Sequence, residues 1–263
     1  MTIQSSGIKK GLNMKLVYLL MFGLSLICEV SSAILGGTKV KESDPLFQSI
    51  VSVVRPDSSA CGGVLIKENI VLTSAHCLKI RGTDDLYRTE EITVYHSTSN
   101  DPLFSSGYDV SSIRLHPMYS YKKGVNTSDL ALIKLYRKPK NTKPASLHPD
   151  FQSLSRSDEF ILYGYGYVNL GETILENYHL HKVKVQPQGI SKDSISYANV
   201  HLKGLCFGDS GGPSFAKYKD SYFVVGIHQS GFHHIGQCLF ASFDVNVGNH
   251  IDWINQNLKE LTN

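Results

Sequence analysis

The hexapeptide Gly208-Asp209-Ser210-Gly211-Gly212-Pro213 sets a serine beside an aspartate inside a run of glycines. Glycine enters backbone conformations closed to other residues, so such a loop can leave its N–H groups pointing at a ligand. A serine that attacks a carbonyl needs that arrangement: an exposed hydroxyl, and N–H donors for the oxyanion that forms. Serine also holds its proton tightly, so it needs a base poised near neutral pH and a carboxylate to orient that base. The segment Leu72-Thr73-Ser74-Ala75-His76-Cys77 offers the histidine, and Ser128-Asp129-Leu130-Ala131-Leu132-Ile133-Lys134-Leu135 offers the carboxylate. A glycine-rich turn with one serine is by itself only a turn, and an isolated histidine is usually a surface or satisfied core residue. The three together have the composition of a nucleophile, its base and the base's orienter.

Such groups need a rigid frame. Short β-branched and aromatic runs at 49–55, 63–67, 69–73, 92–96, 130–136, 159–163, 179–185 and 221–228 are separated by Gly, Pro, Asn and Ser clusters. That spacing reads as an all-β sandwich or barrel. The stretch 137–149, rich in proline and basic residues, reads as a linker between two halves. Ile251, Ile254, Leu258 and Leu261 recur at helical spacing, so an amphipathic helix ends the chain. There is no repeat at solenoid period.

The 263 residues, 41% hydrophobic and 19% charged, have ordinary globular composition. Formal charge is +3; residues 1–33, with three lysines and one glutamate, carry +2 of it and leave +1 on the rest. A nearly neutral surface gives no electrostatic reason to expect nucleic acid or anionic membrane as a partner. Lys15 precedes the apolar run 16–28, and Ser31-Ser32-Ala33 offers small residues for cleavage, which reads as a secretory signal peptide over 1–33 too short to span a bilayer. Met14 offers a second start, which would make 1–13 an upstream extension. A lipoprotein reading of Cys28 is the weaker one, because bulky Ile27 precedes it. The four remaining cysteines, Cys61, Cys77, Cys206 and Cys238, permit three pairings, and export favours disulfides over free thiols. None of their spacings suits a zinc site.

With Ile34-Leu35-Gly36-Gly37 added near the start, the ordered segments around His76, Asp129 and Ser210 resemble the trypsin/chymotrypsin-like serine peptidases from Ile34 to the C-terminal helix. The resemblance implies two six-stranded antiparallel β-barrels, about 34–143 and 144–248, a C-terminal α-helix about 249–261, and an active site in the cleft between the barrels. It implies His76, Asp129 and Ser210 as the catalytic triad, and Gly208 and Ser210 as donors of the oxyanion hole. It selects Cys61–Cys77 and Cys206–Cys238 as disulfides, each bracing one catalytic loop. It implies an activation ion pair between Asp209 and the new α-amino group of Ile34. Relatives are usually cut after Arg or Lys to expose that terminus; here Ala33 precedes it and coincides with the signal-peptidase site, so export itself would generate the active form.

The resemblance also assigns a specificity pocket to Gly204, Leu205, His228, Gly231 and Ser242. Gly204 stands where tryptic enzymes carry aspartate, so an uncharged, open slot favours apolar or aromatic side chains. Two alternatives accompany that expectation: His228 falls where glutamate-specific relatives carry a histidine, and Asp244 is a candidate for restoring basic specificity. Gln229 replaces the serine that usually bonds the triad aspartate. No metal or cofactor is expected: the 97–108 loop falls near the family's calcium site but has only Asp101 and Asp109 as nearby acids, too few for calcium, and adjacent His233 and His234 face opposite ways in a strand. Asn126-Thr127-Ser128 is a glycosylation sequon. The expectation is a secreted (extracellular or periplasmic) serine endopeptidase, monomeric, acting on proteins or peptides and open to proteinaceous inhibitors. A non-catalytic peptidase-like binding protein is the alternative from another class.

Overall fold

A computed structural model describes residues 34–80, 82–99, 106–120, 128–166, 168–169, 174–175, 179–198, 203–234 and 237–262; the side chains of 168–169, 174–175, 230–234 and 237–240 are outside that description. The leader over 1–33 with Cys28, the sequon Asn126, Asp101, and the side chains of His233, His234 and Cys238 therefore lie outside the described residues.

The strands are β1 (Thr38–Lys39), β2 (Ile50–Val54), β3 (Ala60–Lys67), β4 (Ile70–Thr73), β5 (Thr93–Tyr95), β6 (Tyr108–Leu115), β7 (Ala131–Leu135) and β8 (Phe160–Gly164). They continue with β9 (Val168–Asn169), β10 (Ile174–Leu175), β11 (His181–Val185), β12 (Gly189–Ile190), β13 (Ser194–Ala198), β14 (Pro213–Tyr218), β15 (Ser221–His234) and β16 (Gln237–Asn246). The helix α1 (Ile251–Thr262) ends the described chain. In the first half the order β2-β3-β4-β7-β6-β5 closes on itself as a six-stranded barrel, which removes its open edges. The second half is an eight-stranded antiparallel sheet in the order β1-β11-β8-β14-β15-β16-β13-β12, and β9 and β10 form a separate ribbon. The fold is all-β and of the trypsin-like two-barrel kind.

Why the strands read as unbroken apolar runs follows from where their two faces go. On β4, Val71 points into the barrel interior with Val51, Val53 and Ile133, whereas Ile70 and Leu72 join a different cluster. On β7, Ala131, Ile133 and Leu135 face the barrel interior, and Leu132 joins Ile70 and Leu72. That second cluster continues through Ile161, Tyr163, Phe215, Val224, Ile227 and Val245 of the second half. A strand buried on both faces loses the polar alternation of a solvent-facing strand. One core thus joins the two halves and fixes the loops between them.

The helix is fastened by the 3-10 turn ahead of it and by its own buried face. The side chain of Asn246 accepts the Gly248 N–H at 3.0 Å, and α1 then buries Ile254 and Leu261 in the shared core. Just ahead of α1, His250 Nδ1 lies 3.1 Å from Nε2 of His116, beyond the end of β6.

Candidate active site

His76 sits in a 3-10 turn (Ala75–Leu78) directly after β4, and Asp129 lies just before β7, the strand paired with β4. The ladder therefore delivers the two side chains to the same end of the barrel. One Asp129 oxygen accepts the His76 backbone N–H at 2.8 Å and the other faces His76 Nδ1 at 2.6 Å. Asp129 is buried and the imidazole is partly open. A carboxylate on Nδ1 fixes the tautomer with the proton there, which turns Nε2 into a free base toward the cleft. The Cys61–Cys77 disulfide ties β3 to this turn. Cys61, Cys77 and His76 lie close together, but they offer no thiolate pair for a metal, because both sulfurs are spent in that bond.

Ser210 comes from the loop between Gly204 and β14. Gly208 and Gly211 take φ of +82° and +80°. Gly211 is enforced twice over, since a Cβ there would lie 2.3 Å from Thr73 Oγ1 and 2.4 Å from the Gly62 carbonyl. The loop is pinned to the first barrel by the Gly62 N–H to the Ser210 carbonyl at 2.7 Å. It is pinned to β15 by the Gly211 N–H to the His228 carbonyl (2.8 Å) and the His228 N–H to the Gly212 carbonyl (2.9 Å). The Ser74 hydroxyl adds a bond to the same His228 carbonyl at 2.8 Å. Within this scaffold, the Gly208 and Ser210 N–H groups make no hydrogen bond among the described residues. They are two adjacent donors left for something outside the chain.

His76, Gly208 and Ser210 line one cleft of about 310 Å³. The Ser210 hydroxyl is turned to the Gln229 carbonyl at 3.5 Å, and among the described residues no hydrogen bond joins it to His76. Gln229 thus meets Ser210 through its backbone, and the Asp129 oxygens both take their bonds from His76.

Asp209 points the opposite way, into the interior. Its oxygens accept the Gly166 N–H at 2.9 Å and the Cys206 N–H at 2.7 Å. Burial pushes the carboxyl up to about 7, against these two bonds and the neighbouring His228 charge, which pull it down. Ile34 is fully buried against Leu162, Tyr197 and Leu205, and Leu35 exchanges both backbone hydrogen bonds with Gly204, at 2.9 and 3.2 Å. In the continuous chain the Ile34 nitrogen is an amide, so it brings no positive charge to this neighbourhood.

The residues expected to form the specificity pocket divide. Leu205, His228 and Ser242 are buried, and the backbone of Gly231 pairs with that of Ser242. His228 corrects the glutamate-recognition alternative. It is 1% exposed, Nδ1 lies 2.7 Å from Asp244 Oδ1, and Nε2 lies 3.1 Å from the Tyr163 carbonyl. Both nitrogens are committed to partners in the interior, so neither is left for a substrate carboxylate. Asp244 corrects the basic-specificity alternative in the same way. It is fully buried and also accepts from the hydroxyls of Tyr197 (2.7 Å) and Ser214. Tyr197, with its own hydroxyl pushed up by burial, is a member of this network that no local sequence pattern announces. Cys206 is disulfide-bonded; its expected partner Cys238 is outside the described side chains.

Among the described residues no helix is long and apolar enough to cross a membrane. Comparison with known proteins matches residues 34–254 to the family model described as Trypsin. Similar curated proteins include CLIP domain-containing serine protease B4 of Anopheles gambiae, 26% identical over 88% of this chain and 71% of that protein. Serine protease 28 of Mus musculus is 26% identical over 76% of this chain and 78% of its own length. Vitamin K-dependent protein C of Rattus norvegicus is 25% identical over 88% of this chain, which spans about half (53%) of that longer protein.

Proposed function

Because the chain belongs to the trypsin family and is a serine endopeptidase, we propose that Ser210 is its nucleophile, His76 its general base and Asp129 the carboxylate that orients the imidazole. The observation that carries this reading is the double bond from His76 N and Nδ1 to Asp129, beside a serine whose neighbouring N–H groups at Gly208 and Ser210 have no acceptor among the described residues. In the reaction the Ser210 hydroxyl leaves the Gln229 carbonyl, gives its proton to His76 Nε2 and bonds the substrate carbonyl carbon. The oxyanion is met by the Gly208 and Ser210 N–H groups, which need no reorganisation to receive it. His76 returns the proton to the leaving amine, Asp129 stabilises the imidazolium throughout, and water then releases the acyl group by the same route.

Protein substrates follow from the family; the finer reading concerns which bonds are cut. With no charge at Gly204, and with His228 and Asp244 bonded to each other in the interior, the side chain before the cut is apolar or aromatic. Residues 1–33 act as an export signal whose removal exposes the Ile34 amine, and the mature protein works as a secreted monomer. Digestion of a peptide library by residues 34–263, with Ser210→Ala as control, tests the reading. Cuts after Phe, Tyr, Leu or Met, absent in the control, are expected. Cuts after Glu, Arg or Lys would overturn the uncharged pocket, and no cleavage by a folded protein with a free Ile34 would overturn the triad assignment. N-terminal sequencing of exported protein is expected to begin at Ile34.

A further inference from the structure

The cleft beside Ser210 carries more than the catalytic groups. Its lining also includes Arg55, from the turn after β2, and Lys79, just past the 3-10 turn of His76. The end of a substrate that enters this space follows from proton delivery: the leaving amine must sit against His76 Nε2, so the residues after the cut run along the wall built by the Cys61–Cys77 disulfide, Arg55 and Lys79.

Both cations are largely covered, with side chains 19% and 13% exposed. Each has an acidic neighbour, Asp57 at 3.9 Å from Arg55 Nε and Asp84 at 2.8 Å from Lys79 Nζ. Those carboxylates are 59% and 98% exposed and do not line the cleft. Ion pairs at the solvent edge are weakly held and screened by salt, so an acid entering the cleft can compete with these two carboxylates for the cations. Arg55 spends Nε on the Ser59 hydroxyl at 2.7 Å, and its two Nη groups make no hydrogen bond among the described residues. No carboxylate is present among the described lining residues. A planar guanidinium with free donors and a partly covered ammonium, in a cleft without acids, match a carboxylate.

We propose that Arg55 and Lys79 form a subsite for an acidic side chain on the leaving-group side of the scissile bond. Preferred substrates then carry Asp or Glu within the first three residues after the cut. The inference rests on the peptidase reading above.

The test uses internally quenched peptides identical before the cut and carrying Glu, Gln or Lys at each of the first three positions after it. For the protein from Ile34 onward, kcat/KM is expected to favour Glu over Gln by about tenfold at one of these positions, as one charge-assisted bond would give, with Lys poorest. The Glu-to-Gln ratio is expected to shrink toward one in Arg55→Gln/Lys79→Gln and in high salt, and to invert toward Lys in Arg55→Glu/Lys79→Glu. Because each ratio is taken within one protein, a general loss of activity in a variant cancels. A ratio of one in the unaltered protein, or a preference that survives charge reversal, overturns the inference. A small chromogenic ester with no residues after the cut separates the two failures: if it too is left intact by the folded protein, the peptidase reading falls and the subsite with it.

Discussion

The carboxyl of Asp209 is the group whose environment depends most on where the chain begins, and its pH dependence can be worked through. In a chain with any residue ahead of Ile34, burial raises it from an ordinary 3.8 to about 7. The sign follows from proton occupancy: between these values the folded protein holds the proton and the unfolded chain does not. Stability is therefore fully present below about pH 4 and is lost as pH rises toward 7. The slope is about 1.4 kcal/mol per pH unit, and over about three units the loss approaches 4 kcal/mol. In a chain starting at Ile34, the family-type ion pair with the new ammonium would keep Asp209 charged at low cost and remove this slope. The penalty would then appear only as the amine loses its proton above about pH 8. The assay is urea unfolding at pH 4, 5, 6 and 7 in a Ser210→Ala background that prevents self-digestion. Three chains are compared: one extended ahead of Ile34, the same with Asp209→Asn, and one beginning at Ile34. The extended chain is expected to lose midpoint steadily with pH relative to its Asp209→Asn counterpart, and the Ile34 chain is not. Parallel pH profiles for the extended chain and its Asp209→Asn variant would refute the reasoning, because no other group distinguishes them.

Other expected outcomes follow from the geometry. Asp244→Asn breaks the buried contact with His228 and disturbs those with Tyr197 and Ser214, so a loss of about 3–5 kcal/mol in unfolding free energy is expected, whereas the double change His228→Val/Asp244→Asn recovers part of it. Opening the Cys61–Cys77 bond with paired alanines is expected to cost about 3 kcal/mol from freeing the unfolded chain, read as a lower thermal midpoint. His116, pushed down to about 4 mainly by burial and secondarily by His250, is expected to titrate near 4 by NMR, with His250→Gln raising its midpoint. Its neutral form is the one the fold keeps, so its contribution is present above about pH 6.5 and fades as pH falls toward 4.

How much of this was legible in the chain depended on whether the chemistry sits in side chains or in backbone. His76, Asp129 and Ser210 could be singled out in the sequence because nucleophilic catalysis needs those residue types in short contiguous motifs, and the structure brings His76 onto Asp129 and both His76 and Ser210 to one cleft. The acceptor environment of Asp209 was not legible, since Gly166 and Cys206 contribute backbone N–H groups that carry no residue identity. Apolar strands such as β2, β4 and β7 announced themselves, being buried on both faces. β6 and β13 did not, because their exposed positions are filled with serine and charge, and β14 opens on Pro213, a residue that argues against a central strand except at its first position. The roles first weighed for His228 and Asp244 came from reading each residue alone. Their cross-strand pairing between β15 and β16 turns two candidate specificity residues into one internal salt bridge. Arg55 and Lys79 carried no motif at all, and only the barrel brings them to the same wall as Ser210.

The three buried carboxylates around the serine loop show why one of them governs the loop. Asp129 meets two donors from a single residue, His76, whose imidazole lines the cleft. Asp244 meets three side-chain partners, Tyr197, Ser214 and His228. Asp209 has two amide N–H groups and only the more distant charge of His228, which already belongs to Asp244. A buried carboxylate without its own cation is costly, so Asp209 is the one group here whose environment a new charge would improve. It is also the residue between Gly208 and Ser210, so a shift at Asp209 acts directly on the backbone of both. The proposed ion pair would couple the start of the chain to the serine loop: Leu35 already pairs with Gly204, and the fully buried Ile34 belongs to the same apolar cluster as Leu205.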